Sequence, residues 1–194
     1  MHELSTTLRT VDWRPPELET ARLLLRGYEP GDEESVYTYA SDPEVTPYMA
    51  WNRATSLDDA RAFLDGWVVR NYLNRELDYA LCLRAKPDVV VGGLGVYWRS
   101  KVHGVMELGY VLAREHWGHG YMPEAARHLI RHAFSTTKVE RIYAPIFAPN
   151  EKSRRAAEKM GLRFEGVHRS AVAVRGQRWD EAIYAIIRED ISAR

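Results

Sequence analysis

The 194 residues are 45% apolar and 28% charged, the profile of a soluble globular chain able to bury a substantial core. Lys plus Arg and Asp plus Glu number 27 each, so no global field draws the chain to nucleic acid or to an anionic membrane, and any anion must be held locally. The single cysteine, Cys82, excludes an internal disulfide and a cysteine-built metal cluster, and no run is apolar enough to span a bilayer as a helix. Met1-His2-Glu3-Leu4 shows no signal-peptide pattern, so a cytoplasmic location is the default expectation.

Residues 1–17, ending near Pro15-Pro16, read as a loosely held arm ahead of one domain over 18–190. Ala21–Arg26 reads as a strand, and Gly31-Asp32 opens a helix to about Ala40 with Asp32 as its N-cap. Ser56-Leu57-Asp58-Asp59 resembles a capping box, with Asp where Glu or Gln is usual. Behind it Ala60, Phe63, Leu64, Trp67 and Val68 recur at helical spacing as far as Tyr72. Strands follow at Tyr79–Arg84, Val89–Trp98 and Val105–Leu112, with turns at Pro87-Asp88 and Ser100–Gly104, as in an antiparallel meander. Cys82 lies in the apolar run Tyr79–Leu83, as a buried inert thiol would.

The best-defined helix has Met122, Ala125, Ala126, Leu129, Ile130, Ala133 and Phe134 on one stripe and Pro123 in its first turn. A strand over Arg141–Phe147 precedes a short helix with Asn150 as N-cap and Gly161 at C′. Two last strands, about 162–171 and 179–188, flank the turn Arg175-Gly176-Gln177. The order β-α-α-β-β-β-α-β-α-β-β predicts an α+β fold, a mixed and mostly antiparallel sheet of about seven strands with helices on both faces.

The segment from Arg114 to Ala125 is the most informative in the chain. Gly118 and Gly120 break the backbone just before the amphipathic helix, leaving bare amides at the positive end of its dipole. Such a junction holds phosphate oxygens without a basic side chain. The preceding strands are antiparallel, so the loop is not that of a dinucleotide-binding βαβ fold.

With these elements placed, the chain resembles the GNAT N-acetyltransferases, and within them the RimJ/RimL ribosomal-protein N-terminal acetyltransferase type. The resemblance runs from Leu18–Arg26 to Ile187–Asp190 through Ser41-Asp42-Pro43, Glu107-Leu108-Gly109-Tyr110, Trp117-Gly118-His119-Gly120-Tyr121, Asn150-Glu151-Lys152-Ser153, Phe164-Glu165-Gly166 and Trp179-Asp180. It implies the acyl-CoA N-acyltransferase fold, with a splay between the fourth and fifth strands, Val105–Leu112 and Arg141–Phe147. Acetyl-CoA is the implied co-substrate, its pantetheine arm along Tyr110, Val111 and Leu112. Its pyrophosphate falls on the amides of Trp117, Gly118, His119, Gly120, Tyr121 and Met122. Glu115 stands where the family often has Gln or Arg.

Acetyl transfer needs a neutral amine, a polarised thioester carbonyl and a stabilised leaving thiolate. Many relatives place a tyrosine acid at the position of Ala157; Ser153 is the substitute the RimL type suggests, and Asn150 adds a contact to pantetheine. Glu107 is the candidate base and Asp180 the candidate holder of the substrate ammonium. Gly109 marks either a strand irregularity that frees an amide donor or a close packing contact. No metal is expected, since His128 and His132 lack the Glu of an H-E-x-x-H motif, while His116 and His119 flank the anion loop. Acceptor specificity is expected from Pro47–Trp51, the helix after it and the Arg175–Trp179 hairpin, with Trp51, Trp67, Trp98 and Trp179 as aromatic surface. The acceptor is expected to be a protein N-terminal amine, the alternatives being a small-molecule amine or a non-catalytic acyl-CoA-binding module. No nucleic-acid or membrane partner is expected, and a homodimer is one assembly compatible with the sequence.

Overall fold

The computed structural model describes residues 7–192. Five strands pair antiparallel in chain order: β1 (Leu18–Glu19), β2 (Leu23–Arg26), β3 (Leu77–Leu83), β4 (Lys86–Ser100) and β5 (Val105–Leu112). Helix α4 (Tyr121–Thr136) then crosses the sheet, so that β6 (Arg141–Phe147) lies parallel to β5. After α5 (Glu151–Met160), the hairpin β7 (Arg163–Val174) and β8 (Gln177–Ile187) docks through β8, giving the order β1-β2-β3-β4-β5-β6-β8-β7. This is the mixed α+β sheet expected, with one strand more because β1 is separate. A short α6 (Arg188–Ser192) ends the described chain.

Helices cover both faces. The stripe read from α4 is buried as a whole, with Ala125, Ala126, Leu129 and Ala133 fully inaccessible against Leu81, Leu94, Met106, Leu108, Ile142 and Tyr184. The other face packs α1 (Glu33–Ala40), α2 (Leu57–Ala62) and α3 (Val69–Leu73) against β2, β3 and β4. β3, covered on both sides, is buried from Leu77 through Cys82, which is why it reads as a continuous apolar run. The Cys82 thiol is inaccessible, and burial pushes its pKa up to about 11.

Several local signals hold. Ser56 and Asp59 form the reciprocal capping box, Asn150 accepts from the Ser153 amide, and Gly161 takes φ +98° after α5. Others are overridden. Asp32 does not cap α1; its carboxylate is buried and takes two 2.8 Å bonds from Arg26, because an internal guanidinium needs its counterion more than a helix end needs a cap. The β3–β4 turn falls at Arg84-Ala85, and Pro87-Asp88 lies inside β4, whose start is exposed. The helix after Ser56 is broken by a π-helical stretch, Phe63–Val68, in which Leu64 and Val68 are fully buried. Residues 1–6 of the expected arm lie outside the described residues. The rest is not loose: Leu8 is fully buried and Val11 packs with it beside Val68 and Tyr72.

Asp78 is the main electrostatic burden of the helical layer. It is 2% exposed and accepts from Asn71 at 2.7 Å and from the Tyr97 hydroxyl at 2.9 Å. Desolvation outweighs these bonds and raises its pKa to about 6. The folded state therefore binds this proton more tightly than the unfolded state, so stability falls as pH rises from about 4 through 6. Urea midpoints across that range should show a loss on the order of 3 kcal/mol attributable to this group, read as the difference between wild type and Asp78→Asn. A difference that does not change with pH would refute the assignment.

Candidate active site

The parallel pairing of β5 with β6 lasts only from Val105↔Arg141 to Glu107↔Tyr143. Beyond it β5 stays on β4 as far as Leu112↔Gly92, and β6 stays on β8 as far as Phe147↔Glu181. Leu108–Leu112 and Ala144–Phe147 therefore diverge as two facing edges that do not pair with each other. This V-shaped gap can take an extended polar chain as if it were a strand. The β4–β5 ladder shifts register between Trp98 and Ser100 but runs unbroken through Gly95↔Gly109. Gly109 is thus a packing glycine, where a Cβ would lie 3.2 Å from the Tyr97 ring, and the free donors come from the splay instead of a bulge.

The loop at the wide end takes its shape from two left-handed glycines, Gly118 at φ +82° and Gly120 at φ +74°. The Trp117 amide donates to the Arg114 carbonyl, and the next backbone donor outside the helix ladder is Glu124, to Gly120. Among the described residues, the amides of Gly118, His119, Gly120, Tyr121 and Met122 have no such partner and stand at the N-terminus of α4. That fits a pyrophosphate. Trp117 contributes its ring: Nε1 donates to the Leu112 carbonyl at 2.8 Å, and the Lys152 ammonium lies 4.4 Å from the ring centroid. Leu112 thus has its carbonyl engaged. His119 is exposed and stacks on Tyr121, while His116 lies 3.3 Å from Glu115.

Arg22 was not singled out from the sequence, yet it braces this loop. Its guanidinium donates to the His119 carbonyl at 3.0 Å, binds Glu124 at 2.7 Å and lies over the Tyr121 ring. Glu124 in turn accepts from the Thr20 hydroxyl and the Arg22 amide. Burial alone would raise the Glu124 pKa, but the hydrogen bonds from Thr20 and Arg22 hold it below the usual range. The loop is thereby tied to the β1–β2 corner.

At the floor of the splay Tyr110 and Ser153 meet. The phenol lies 2.6 Å from Ser153 Oγ and 3.1 Å from the Ser153 carbonyl. Burial pushes the Tyr110 pKa up to about 12, so it is a neutral phenol at pH 7. With the phenol proton on the Ser153 carbonyl, Oγ–H is the donor to the phenol oxygen. Asn150 fixes the first turn of α5 through its 3.1 Å bond from the Ser153 amide. Ala157, where the family resemblance implies a tyrosine in many relatives, is fully buried.

Strand alternation sorts the remaining candidates. Met106 and Leu108, Ile142 and Ala144, and Ala182 and Tyr184 all pack against the α4 side, so Glu107, Tyr143 and Glu181 point to the opposite face. Glu107 accepts from Arg99 Nε and Nη2 at 2.9 Å each and from the Tyr143 hydroxyl at 3.0 Å. Asp180 has the other orientation. It accepts from the Ser170 amide at 2.7 Å, holding a residue at φ +53° within an irregular part of β7. That bond engages one of its two carboxylate oxygens.

The same face opens into a cleft of about 290 Å³ between the loop after α1 and the β7–β8 hairpin, lined by Pro43, Thr46, Pro47, Arg53, Arg175 and Trp179. Arg175 and Gly176 both take positive φ, as a two-residue I′ turn requires. The Arg175 guanidinium donates to the carbonyls of Pro47, Met49 and Trp51, lacing the hairpin to the loop. Trp179 stacks on Phe147 and meets Tyr48 edge-on. Of the four tryptophans expected at the acceptor surface it alone lines the cleft; Trp67 packs on Tyr97, and Trp98 and Trp51 pack on the two cores.

A family model described as an acetyltransferase (GNAT) domain matches residues 22–163. The chain belongs to the GNAT acetyltransferase family. The uncharacterized N-acetyltransferase YoaA of Bacillus subtilis is 30% identical over 173 residues, covering 89% of this chain and 97% of that protein. The crystal structure of a GNAT-family acetyltransferase from Bacillus anthracis superposes with a TM-score of 0.79 at 29% identity, covering 90% and 99% of the two chains. RimL, a ribosomal L7/L12 alpha-N-protein acetyltransferase solved with coenzyme A, shares the fold at a TM-score of 0.75 and 18% identity, with 89% and 98% covered.

The GNAT fold accounts for the splay and the glycine loop, and the enzyme is an N-acetyltransferase. Bracing of the loop by Arg22 leads to a kinetic expectation. Arg22→Ala should raise KM for acetyl-CoA about tenfold, the scale of one charge-assisted hydrogen bond, and leave kcat within twofold. Initial-rate kinetics with varied acetyl-CoA check this, and an unchanged KM would remove Arg22 from the cofactor site.

Proposed function

We propose that this acetyltransferase moves the acetyl group of acetyl-CoA to a protein N-terminal amine by direct transfer in a ternary complex. The observation that carries the reading is the cleft laced by Arg175, which is open to solvent and lies on the face of Glu107, so that a chain end can enter while the rest of its protein stays outside. The RimL neighbour is named for an acceptor of that kind. An acetyl-enzyme route through Cys82 is disfavoured by its full burial and raised pKa. A cytoplasmic enzyme suits such an acceptor. The cleft volume is also near the lower bound of about 300 Å³ for small-molecule pockets, which supports a small amine as the second reading.

In the proposed complex the pantetheine arm runs along Tyr110 and Val111. The pyrophosphate sits on the amides from Gly118 to Met122, and Asn150 and Ser153 face the thioester end. Ser153, backed by the Tyr110 phenol, hydrogen-bonds the departing sulfur. A thiol-release assay with N-terminal peptides and small amines, read by mass spectrometry for the acetylated product, tests the acceptor. Peptides should be preferred; turnover of small amines alone would favour the second reading. Ser153→Ala and Tyr110→Phe should each lower kcat ten- to a hundredfold at saturating acetyl-CoA, and the double variant should lose little more than either, because the two groups act as one unit. Unchanged turnover in both singles would dismiss the pair.

A further inference from the structure

Glu107 and Glu181 reach the acceptor face from different strands and in different states. Glu107, on β5, is saturated, with Arg99 and Tyr143 supplying three donors to its two oxygens. Glu181, on β8, is half-buried, and among the described residues neither of its oxygens has a hydrogen-bond or ion-pair partner. It stands opposite Phe147, the last residue of β6, and beside the Phe147–Trp179 stack that borders the cleft. A half-buried carboxylate without donors lacks the stabilisation that lowers basicity elsewhere in this molecule.

We propose that Glu181 is the group that takes the proton from the acceptor ammonium, with Glu107 on the same face of the sheet held by Arg99 and Tyr143. This rests on the amine-acetylation reading above and names the base of that same site. The surrounding charges support it. Desolvation raises the Glu181 pKa, the Glu107 charge raises it further, and His168, its cross-strand partner on β7, opposes them. Tyr143 on β6 and Arg99 on β4 donate to Glu107 and hold its carboxylate in place. A carboxylate made more basic in this way is closer to the pKa suited to accepting a proton near neutrality.

The Glu181 carboxylate removes one proton from R–NH3⁺ and later releases it to solvent. The freed nitrogen pair forms the C–N bond at the thioester carbonyl. The C–S bond then breaks, and the second nitrogen proton leaves with the sulfur as the thiol. The products are the acetamide, free coenzyme A and one proton.

The test uses the full chain, acetyl-CoA and an alanine-initiated peptide amide. Glu181→Gln should lower kcat/KM about 10²- to 10³-fold at pH 7, and the deficit should shrink towards pH 9 as the peptide amine deprotonates by itself. Glu107→Gln should keep the acidic limb of the pH profile and move it to lower pH. A Glu181→Gln loss that is independent of pH, a loss under threefold, or disappearance of the limb in Glu107→Gln would each overturn the proposal. Carboxyl titration by ¹³C NMR needs no acceptor, so it separates failure of this inference from the choice of a wrong amine. Glu181 should titrate above the ordinary glutamate range and fall in Glu107→Gln. Ordinary titration that ignores the substitution would overturn the proposal even if no amine is acetylated.

Discussion

Three paired residues decide what this sheet can do. β5 and β6 begin as neighbours and are then drawn apart, each by a longer antiparallel ladder on its other side. Parallel pairing is slightly weaker per residue than antiparallel pairing, so the two outer ladders prevail as the sheet twists. Pro145, in the diverging part of β6, has no N–H to offer a neighbouring strand. The gap that results is lined by backbone polar groups awaiting an extended ligand. The glycine loop above it, the Tyr110–Ser153 contact below it and the carboxylates beside it have meaning only because the strands part there.

Around that gap the protein handles charge locally, as zero net charge requires. The loop offers amide dipoles, while the nearest guanidinium, Arg22, is tied to Glu124 and serves to hold backbone. The opposite face carries two carboxylates, Glu107 bound by Arg99 and Glu181 left open among the described residues. The proposed pyrophosphate and acceptor positions thereby lie on separate sides of one sheet. The same logic explains Asp32, whose carboxylate serves the buried Arg26 where a cap was expected.

Several left-handed residues lie around the candidate site, while others, Arg75 among them, lie outside it. Left-handed residues occur at Gly118 and Gly120 in the loop, at Ser170 next to the hairpin and at Arg175 in its turn. The non-glycine ones are held by specific bonds: Asp180 holds the Ser170 amide, and three carbonyls hold the Arg175 side chain. Such conformations persist only where surrounding contacts over-determine them. Here those contacts lace the β7–β8 hairpin to the loop after α1.

What could be read from the chain alone rested on short-range physics. The α4 stripe, the Ser56 and Asn150 caps, Gly161, the glycine loop and the antiparallel meander each depend on residues within a few positions of one another. Those features build the anion loop and the strands that lead into it. The proposed acceptor side depends on partners far apart in sequence, as do the braces of the loop: Arg22 with Glu124, Tyr110 with Ser153, Arg175 with Trp51, Glu107 with Tyr143. Asp180 and Glu181 are adjacent in sequence, and only the packing of Ala182 and Tyr184 against α4 and its neighbours determines which of them faces Glu107. Strand period makes that choice binary, and the core resolves it. Sequence by itself determined the elements and the anion-binding loop, because these follow from local dihedrals and hydrophobic period. Tertiary structure decided which side chains meet across the sheet, because desolvation and charge pairing act through space.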